Sequence, residues 1–215
     1  PDKFGDELNR ISDLGLKALS LASSYDGKYL SDPIFEPVLE YAQKHHMPVH
    51  VHSQIINPIG EERVRDPLLS PVLEYVFDVT MCLGKMMMEG TFLKYPDLKI
   101  IFAHYGGVMP LVKERFDNTY QMLRKREFVK DLGKLPSEYF KNIYIDTSGS
   151  KSFASLLCAL EVVDSSHILL GSDFPANQSL TNSIQAIAKS SLASEHKDNI
   201  LSNSWSNLFN AKISS

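Results

Sequence analysis

Little in this chain of 215 residues advertises a specialised partner. There are only two cysteines, Cys82 and Cys158, and nothing in their spacing makes a metal clip. Both stand in apolar, helix-like surroundings, so we read them as small buried residues of a reducing, cytoplasmic compartment. No apolar run approaches the roughly 20 residues of a membrane helix, and we expect no membrane partner. Charge of one sign is also scarce: 22 Lys and Arg against 26 Asp and Glu leave −4. Phosphate binding wants a basic face, so we expect no nucleic-acid partner. A Gly-rich nucleotide loop, a solenoid-period repeat and a low-complexity linker are all missing. What remains is a globular sequence, 43% hydrophobic, long enough for a sizeable core. It opens at Pro1 on helix-like residues, which leads us to expect a piece of a longer protein.

What is present is an alternation of short apolar runs with amphipathic segments. Asp6–Leu14 reads as a helix closed by Gly15, and Lys17–Leu21 as a strand. Tyr25–Pro33 reads as a polar loop, in which Ser31-Asp32-Pro33 starts a helix bearing Phe35, Val38, Leu39 and Ala42. Pro48–His52 is the next strand, followed by an insertion over Ser53–Pro71 rich in Pro, Gly and charge. A helix through Tyr75, Val79, Leu83, Met86 and Met87 follows, its Met run reading as core. Lys99–His104 is a third strand, and Gly106-Gly107 turns it into a helix with Leu111, Val112 and Phe116 on one face. Asn142–Thr147 is a fourth strand, Phe153–Val162 a helix, and Ile168–Asp173 a fifth strand. Ser183–Ser190 and Ala193–Phe209 are closing helices. This is a β/α pattern with a parallel sheet and right-handed crossovers. A closed barrel of this kind needs eight strands and roughly 250 residues, so about five of eight units are present. An open doubly wound sheet is the alternative, which the missing nucleotide loop disfavours.

Three strands end in residues that bind metals. His52, His104 and Asp173 stand at the C-terminal ends of the second, third and fifth strands, where β/α barrels carry their chemistry. Imidazole nitrogen and carboxylate oxygen are common ligands of a zinc-like ion. His50 shares the face of His52 and reads as filling space one layer below. His45, His46, His167 and His196 read as solvated. Gly106-Gly107 would let the backbone pass close to a ligand. Arg115 reads either as a surface ion pair or as a clamp for a carboxylate.

The segments Pro48–His52, Leu98–Gly107, Asn142–Ser148 and His167–Pro175 resemble the amidohydrolase superfamily. The branch is the one containing aminocarboxymuconate-semialdehyde, gamma-resorcylate and methylsalicylate decarboxylases. The resemblance implies a TIM (β/α)8 barrel of the metal-dependent hydrolase type, as one partial barrel domain over residues 1–215. It implies one divalent metal, zinc first and manganese second, on His52 and Asp173. His104 and Asp173 would handle protons, and Arg115 would reach a substrate carboxylate across a homodimer or higher homo-oligomer. Phe174 would stack on the substrate. The family's first strand carries a His-x-His or Glu-x-His pair. This chain shows none before Gly15, so we expect the N-terminal barrel segment to be missing.

The leading functional expectation is a metal-dependent carboxy-lyase acting on a small aromatic or unsaturated carboxylate. A metal-dependent hydrolase of a lactone or amide uses the same site, and released carbon dioxide distinguishes the two. A third reading is a non-catalytic truncated barrel that self-associates through bare strand edges.

Overall fold

A computed structural model describes residues 4–59 and 66–209. Part of the Ser53–Pro71 insertion therefore lies outside the described residues. The sheet is built from β1 (Leu19–Ala22), β4 (Val49–His52), β5 (Ile100–Phe102), β6 (Ile143–Asp146) and β7 (Ile168–Leu169). They lie side by side in that order, all parallel, with Leu19 beside Val49, Val49 beside Ile100, Ile100 beside Ile143 and Ile145 beside Ile168.

Alternation along each strand gives the sheet two unlike faces. One carries Val49, Val51, Ile100, Phe102, Ile143, Ile145 and Ile168, all buried in the main apolar core beneath the helices. The other carries Ser20, His50, Ile101 and Tyr144 in register. Packed on this second face is the last helix, α9 (Ser204–Phe209). Its Trp205, Leu208 and Phe209 meet Ile101, Tyr144 and Leu169, and the Trp205 indole donates to the Leu170 carbonyl at 3.1 Å.

The crossovers are α2 (Glu36–Lys44), α3 (Tyr75–Met88) with α4 (Thr91–Lys94), α5 (Met109–Lys125) and α6 (Phe153–Leu160). They follow α1 (Phe4–Asp13) and precede α7 (Thr181–Ala188) and α8 (Ser194–Asp198). Asp32 caps the turn into α2 by accepting from the Ile34 amide, with Pro33 at the first position. In α3, Val79, Cys82, Leu83, Met86 and Met87 are buried at helical spacing, so the Met run is core.

Several sequence expectations change. Tyr25–Pro33 is not all loop: β2 (Ser24–Tyr25) and β3 (Lys28–Tyr29) pair antiparallel around Asp26-Gly27. Both turn residues have left-handed backbone, the geometry that matches hairpin twist. In α5 the core side is Met109, Val112, Phe116 and Tyr120; Leu111 is 75% exposed because it falls on the opposite side of the helix. The closing segment breaks into α8, a wide turn over Asn199–Asn203 and α9. His167 and His196 are half-buried rather than fully solvated: each Nδ1 is engaged, by the Ile143 carbonyl at 3.0 Å and by Ser165 Oγ at 2.8 Å. Cys158 is only half-buried, whereas Cys82 is fully buried, and neither forms a disulfide.

Gly106-Gly107 also serves the packing of the fold. A Cβ on Gly107 would stand 2.1 Å from Thr80 Oγ1 and 2.6 Å from the Val76 carbonyl, so this glycine lets α3 pack closely on the turn. Its φ of 72° adds left-handed strain for any other residue. Gly107→Ala is expected to lower stability by about 2–3 kcal/mol in urea unfolding. A change below about 0.5 kcal/mol would show that α3 shifts freely.

Candidate metal centre

His52 is the last residue of β4, and its place on the strand points it to the same face as His50, opposite the main apolar core. His104 lies just past β5 in a turn where both His104 and Tyr105 have left-handed backbone, φ 56° and 58°. Asp173 lies further from its strand. β7 ends at Leu169, Gly171 N–H bonds to the Thr147 hydroxyl instead of a neighbouring strand, and Asp173 sits at φ 66°. So one of the three residues is on a strand and two are held in turns. Left-handed backbone costs a side-chain-bearing residue about 1–3 kcal/mol, and such strain gathers at functional sites.

The three nonetheless converge. One ligand atom from each of His52, His104 and Asp173 lies within 4.8 Å of the others. His52 Nε2 is 3.5 Å from Asp173 Oδ1, and the His52 and His104 rings meet edge to face with centroids 5.0 Å apart. Two ligands about 2.1 Å from one ion stand about 3.0–3.4 Å apart at octahedral or tetrahedral angles. The donor types and the His52–Asp173 separation fit a divalent cation.

Each imidazole has its other nitrogen engaged. His52 Nδ1 is 3.2 Å from the Ser53 carbonyl, which only accepts, so the proton belongs on Nδ1 and the Nε2 lone pair faces Asp173. His104 Nδ1 is 3.0 Å from Ser148 Oγ. That hydroxyl donates to Asp146 Oδ1, so it accepts from His104 Nδ1–H and leaves Nε2 as a lone pair. Gly149 makes room for this arrangement, since a Cβ there would stand 3.0 Å from His104 Nδ1. Burial holds the His104 imidazole below its ordinary range; the Asp146 and Asp173 carboxylates pull the other way without prevailing. It is a neutral group able to take a proton.

Asp146 is a site residue that the sequence reading passes over, although it ends β6 and a carboxylate ending a buried strand is the signal that marks Asp173. It is 6% exposed and accepts from His50 Nε2 at 3.1 Å, His104 N–H at 3.1 Å and Ser148 N–H at 3.0 Å. Burial pushes its carboxyl up, but bonds from His50 and Ser148 outweigh that and hold it below the usual carboxylate range. His50 is thus tied to Asp146 one layer below the cluster, as its strand position suggested.

Beside His104 lies a cleft of about 340 Å³ lined by Tyr105, Pro110, Leu111, Ser148, Ala154 and Cys158 among others. Phe174 is 76% exposed next to Asp173. Arg115 is exposed on α5, has no ion pair among the described residues and does not line the cleft. The structure therefore unites His52, His104 and Asp173 and leaves Arg115 apart. Among the described residues no helix is long and apolar enough to cross a membrane.

The sequence profile of the Amidohydrolase family matches residues 2–196. The chain is 26% identical over 171 residues to 2-amino-3-carboxymuconate-6-semialdehyde decarboxylase of Dictyostelium discoideum, covering 79% of this chain and 46% of that protein. It is 27% identical over 194 residues to gamma-resorcylate decarboxylase of Rhizobium sp., covering 81% and 56%. The chain thus spans about half the length of these curated relatives. Its fold superimposes on 5-carboxyvanillate decarboxylase from Sphingomonas paucimobilis with a TM-score of 0.88 at 24% identity, over 96% of this chain and 62% of that one. The enzyme of that name from Novosphingobium aromaticivorans, solved with manganese, superimposes with a TM-score of 0.82 at 22% identity, over 96% and 60%. The five-stranded sheet and its helices are therefore part of an α/β barrel of this type.

Proposed function

The chain belongs to the amidohydrolase family, and on that premise we propose that the protein is a metal-dependent carboxy-lyase for a small aromatic or unsaturated carboxylate. The observation that carries this reading is the convergence of His52, His104 and Asp173, two of them with left-handed backbone, with His104 also lining a cleft large enough for one ring. Relatives named for decarboxylation of aromatic and muconate acids support it. We read residues 1–215 as one partial barrel domain.

His52 Nε2 and Asp173 would hold one divalent cation. Manganese takes precedence over zinc here, because a solved relative holds it. When bound, the cation supplies a positive centre that favours negative charge developing on a substrate oxygen. The protein's own residues do the rest. Asp173 delivers a proton to the ring carbon that bears the carboxylate. The bond from that carbon to the carboxylate then breaks, its electron pair returns to the ring, and carbon dioxide leaves. His104, neutral with its Nε2 lone pair free, exchanges protons with Asp173 between turnovers. Ser148 and Asp146 keep that lone pair aimed. Phe174 offers an exposed ring face for stacking. Arg115, free of ion pairs among the described residues, would meet a substrate carboxylate in a neighbouring subunit of a homo-oligomer.

Incubating the metal-loaded protein with hydroxybenzoates and muconate-type acids is expected to release carbon dioxide with about one metal ion per chain. A ring-opened acid from a lactone, without carbon dioxide, would instead assign hydrolysis. Absence of both metal and turnover would make this chain a non-catalytic barrel segment.

A further inference from the structure

Asp78 lies outside the cluster, on α3, yet it is 1% exposed and accepts from five donors. Oδ1 accepts from the Tyr29 hydroxyl at 2.9 Å and the Ile59 amide at 3.1 Å. Oδ2 accepts from the Ser23 hydroxyl, from the Ser24 hydroxyl at 3.4 Å and from the Gln54 amide at 3.3 Å. The donors come from Ser23 just after β1, from the β2–β3 hairpin and from the segment after β4. One buried side chain thus gathers three parts of the C-terminal side of the sheet.

The Gln54 amide matters most. It belongs to the peptide between Ser53 and Gln54, whose carbonyl is the one 3.2 Å from His52 Nδ1. In a trans peptide the N–H and C=O point in opposite directions. The N–H is held by Ser23 Oγ at 2.9 Å and by Asp78, so the carbonyl can only point back at His52. The Ser53 hydroxyl, also 3.2 Å from Nδ1, could serve either tautomer, but the carbonyl serves only Nδ1–H. Drawing on the N–H of a peptide also makes its carbonyl a better acceptor.

We infer that Asp78 is a positioning residue for His52: through the 53–54 peptide it sets the tautomer and orientation that present Nε2 to the cluster. Groups that orient a metal-binding histidine through its second nitrogen change metal affinity by roughly 10–100-fold when removed. For its purpose the inference rests on the metal-site reading; the tautomer itself does not.

The test uses the purified chain, metal-free, with nitrogen-labelled histidine, and reads the His52 tautomer from two-bond proton–nitrogen correlations. The wild type is expected to show Nδ1–H. Asp78→Ala is expected to mix in the Nε2–H form and to weaken Mn²⁺ binding roughly 10–100-fold. Tyr29→Phe removes a donor from the same carboxylate without touching Gln54, and is expected to keep the wild-type tautomer and an Mn²⁺ affinity within about threefold. If Asp78→Ala fails to fold, Ser23→Ala, which removes the nearer acceptor of the Gln54 amide, carries the same expectation at smaller amplitude. Wild-type Nε2–H, an unmixed tautomer in the Asp78 variant (or in the Ser23 variant standing in for it), or an equal change in Tyr29→Phe would each overturn the inference. A wild type with the expected tautomer and no Mn²⁺ binding would overturn the metal-site reading alone.

Discussion

Replacing Asp173 with alanine is expected to abolish divalent-metal binding and to lower carboxylate turnover by about 10²–10⁴-fold. Asp173 is the only carboxylate in a donor set otherwise made of His52 and His104. Without it, two neutral imidazoles remain, and the group proposed to deliver the proton is gone. The backbone adds a second readout. At φ 66° alanine keeps the left-handed strain while losing the short polar side chain that tolerates it. Glycine at the same position is expected to fold about 1 kcal/mol more stably than alanine while remaining equally unable to bind metal. Metal content by mass spectrometry and urea unfolding of the two variants check both halves. Retention of about one metal ion per chain in either variant would remove Asp173 from the site.

Asp146→Ala is expected to cost about 3–5 kcal/mol of stability, because a buried acceptor of several donors is lost. His50 Nε2, the His104 and Ser148 amides and the Ser148 hydroxyl would all be left facing an apolar gap. A chain of this size should melt about 10 °C lower. Ser148→Ala separates stability from chemistry. It leaves the carboxylate and its other donors in place, so the expected stability loss is only about 1 kcal/mol. It also releases His104 Nδ1, and a fall in turnover of roughly 10–100-fold is expected as the tautomer is no longer selected. Thermal unfolding and steady-state rates on the pair test this. Equal stability losses would mean that Ser148, not Asp146, holds the turn.

How much was legible beforehand follows the range of the interactions involved. Strand positions such as Val49, Ile100 and Ile168 stand out because a strand under helices must be apolar at every second residue, a local and repeating demand. His52 and Asp173 stand out for the converse reason, as polar residues where such runs end. Turn chemistry is local too, so Asp32-Pro33 and Gly15 mark their element ends correctly. Leu111 misled because a hydrophobic residue one position off the helical stripe still looks like core in a list of residues.

From the sequence by itself came the β/α order, the parallel sheet and the three residues His52, His104 and Asp173 at its open end, since period and punctuation are properties of neighbours along the chain. Only the tertiary structure decided the rest. His50 meets Asp146 across 96 positions, His104 meets Ser148 across 44, and Gln54 meets Asp78 across 24. Which nitrogen of each histidine carries its proton depends on those meetings, because a tautomer is selected by the partner on the far side of the ring. No periodicity encodes that partner; the packing of one element against another supplies it.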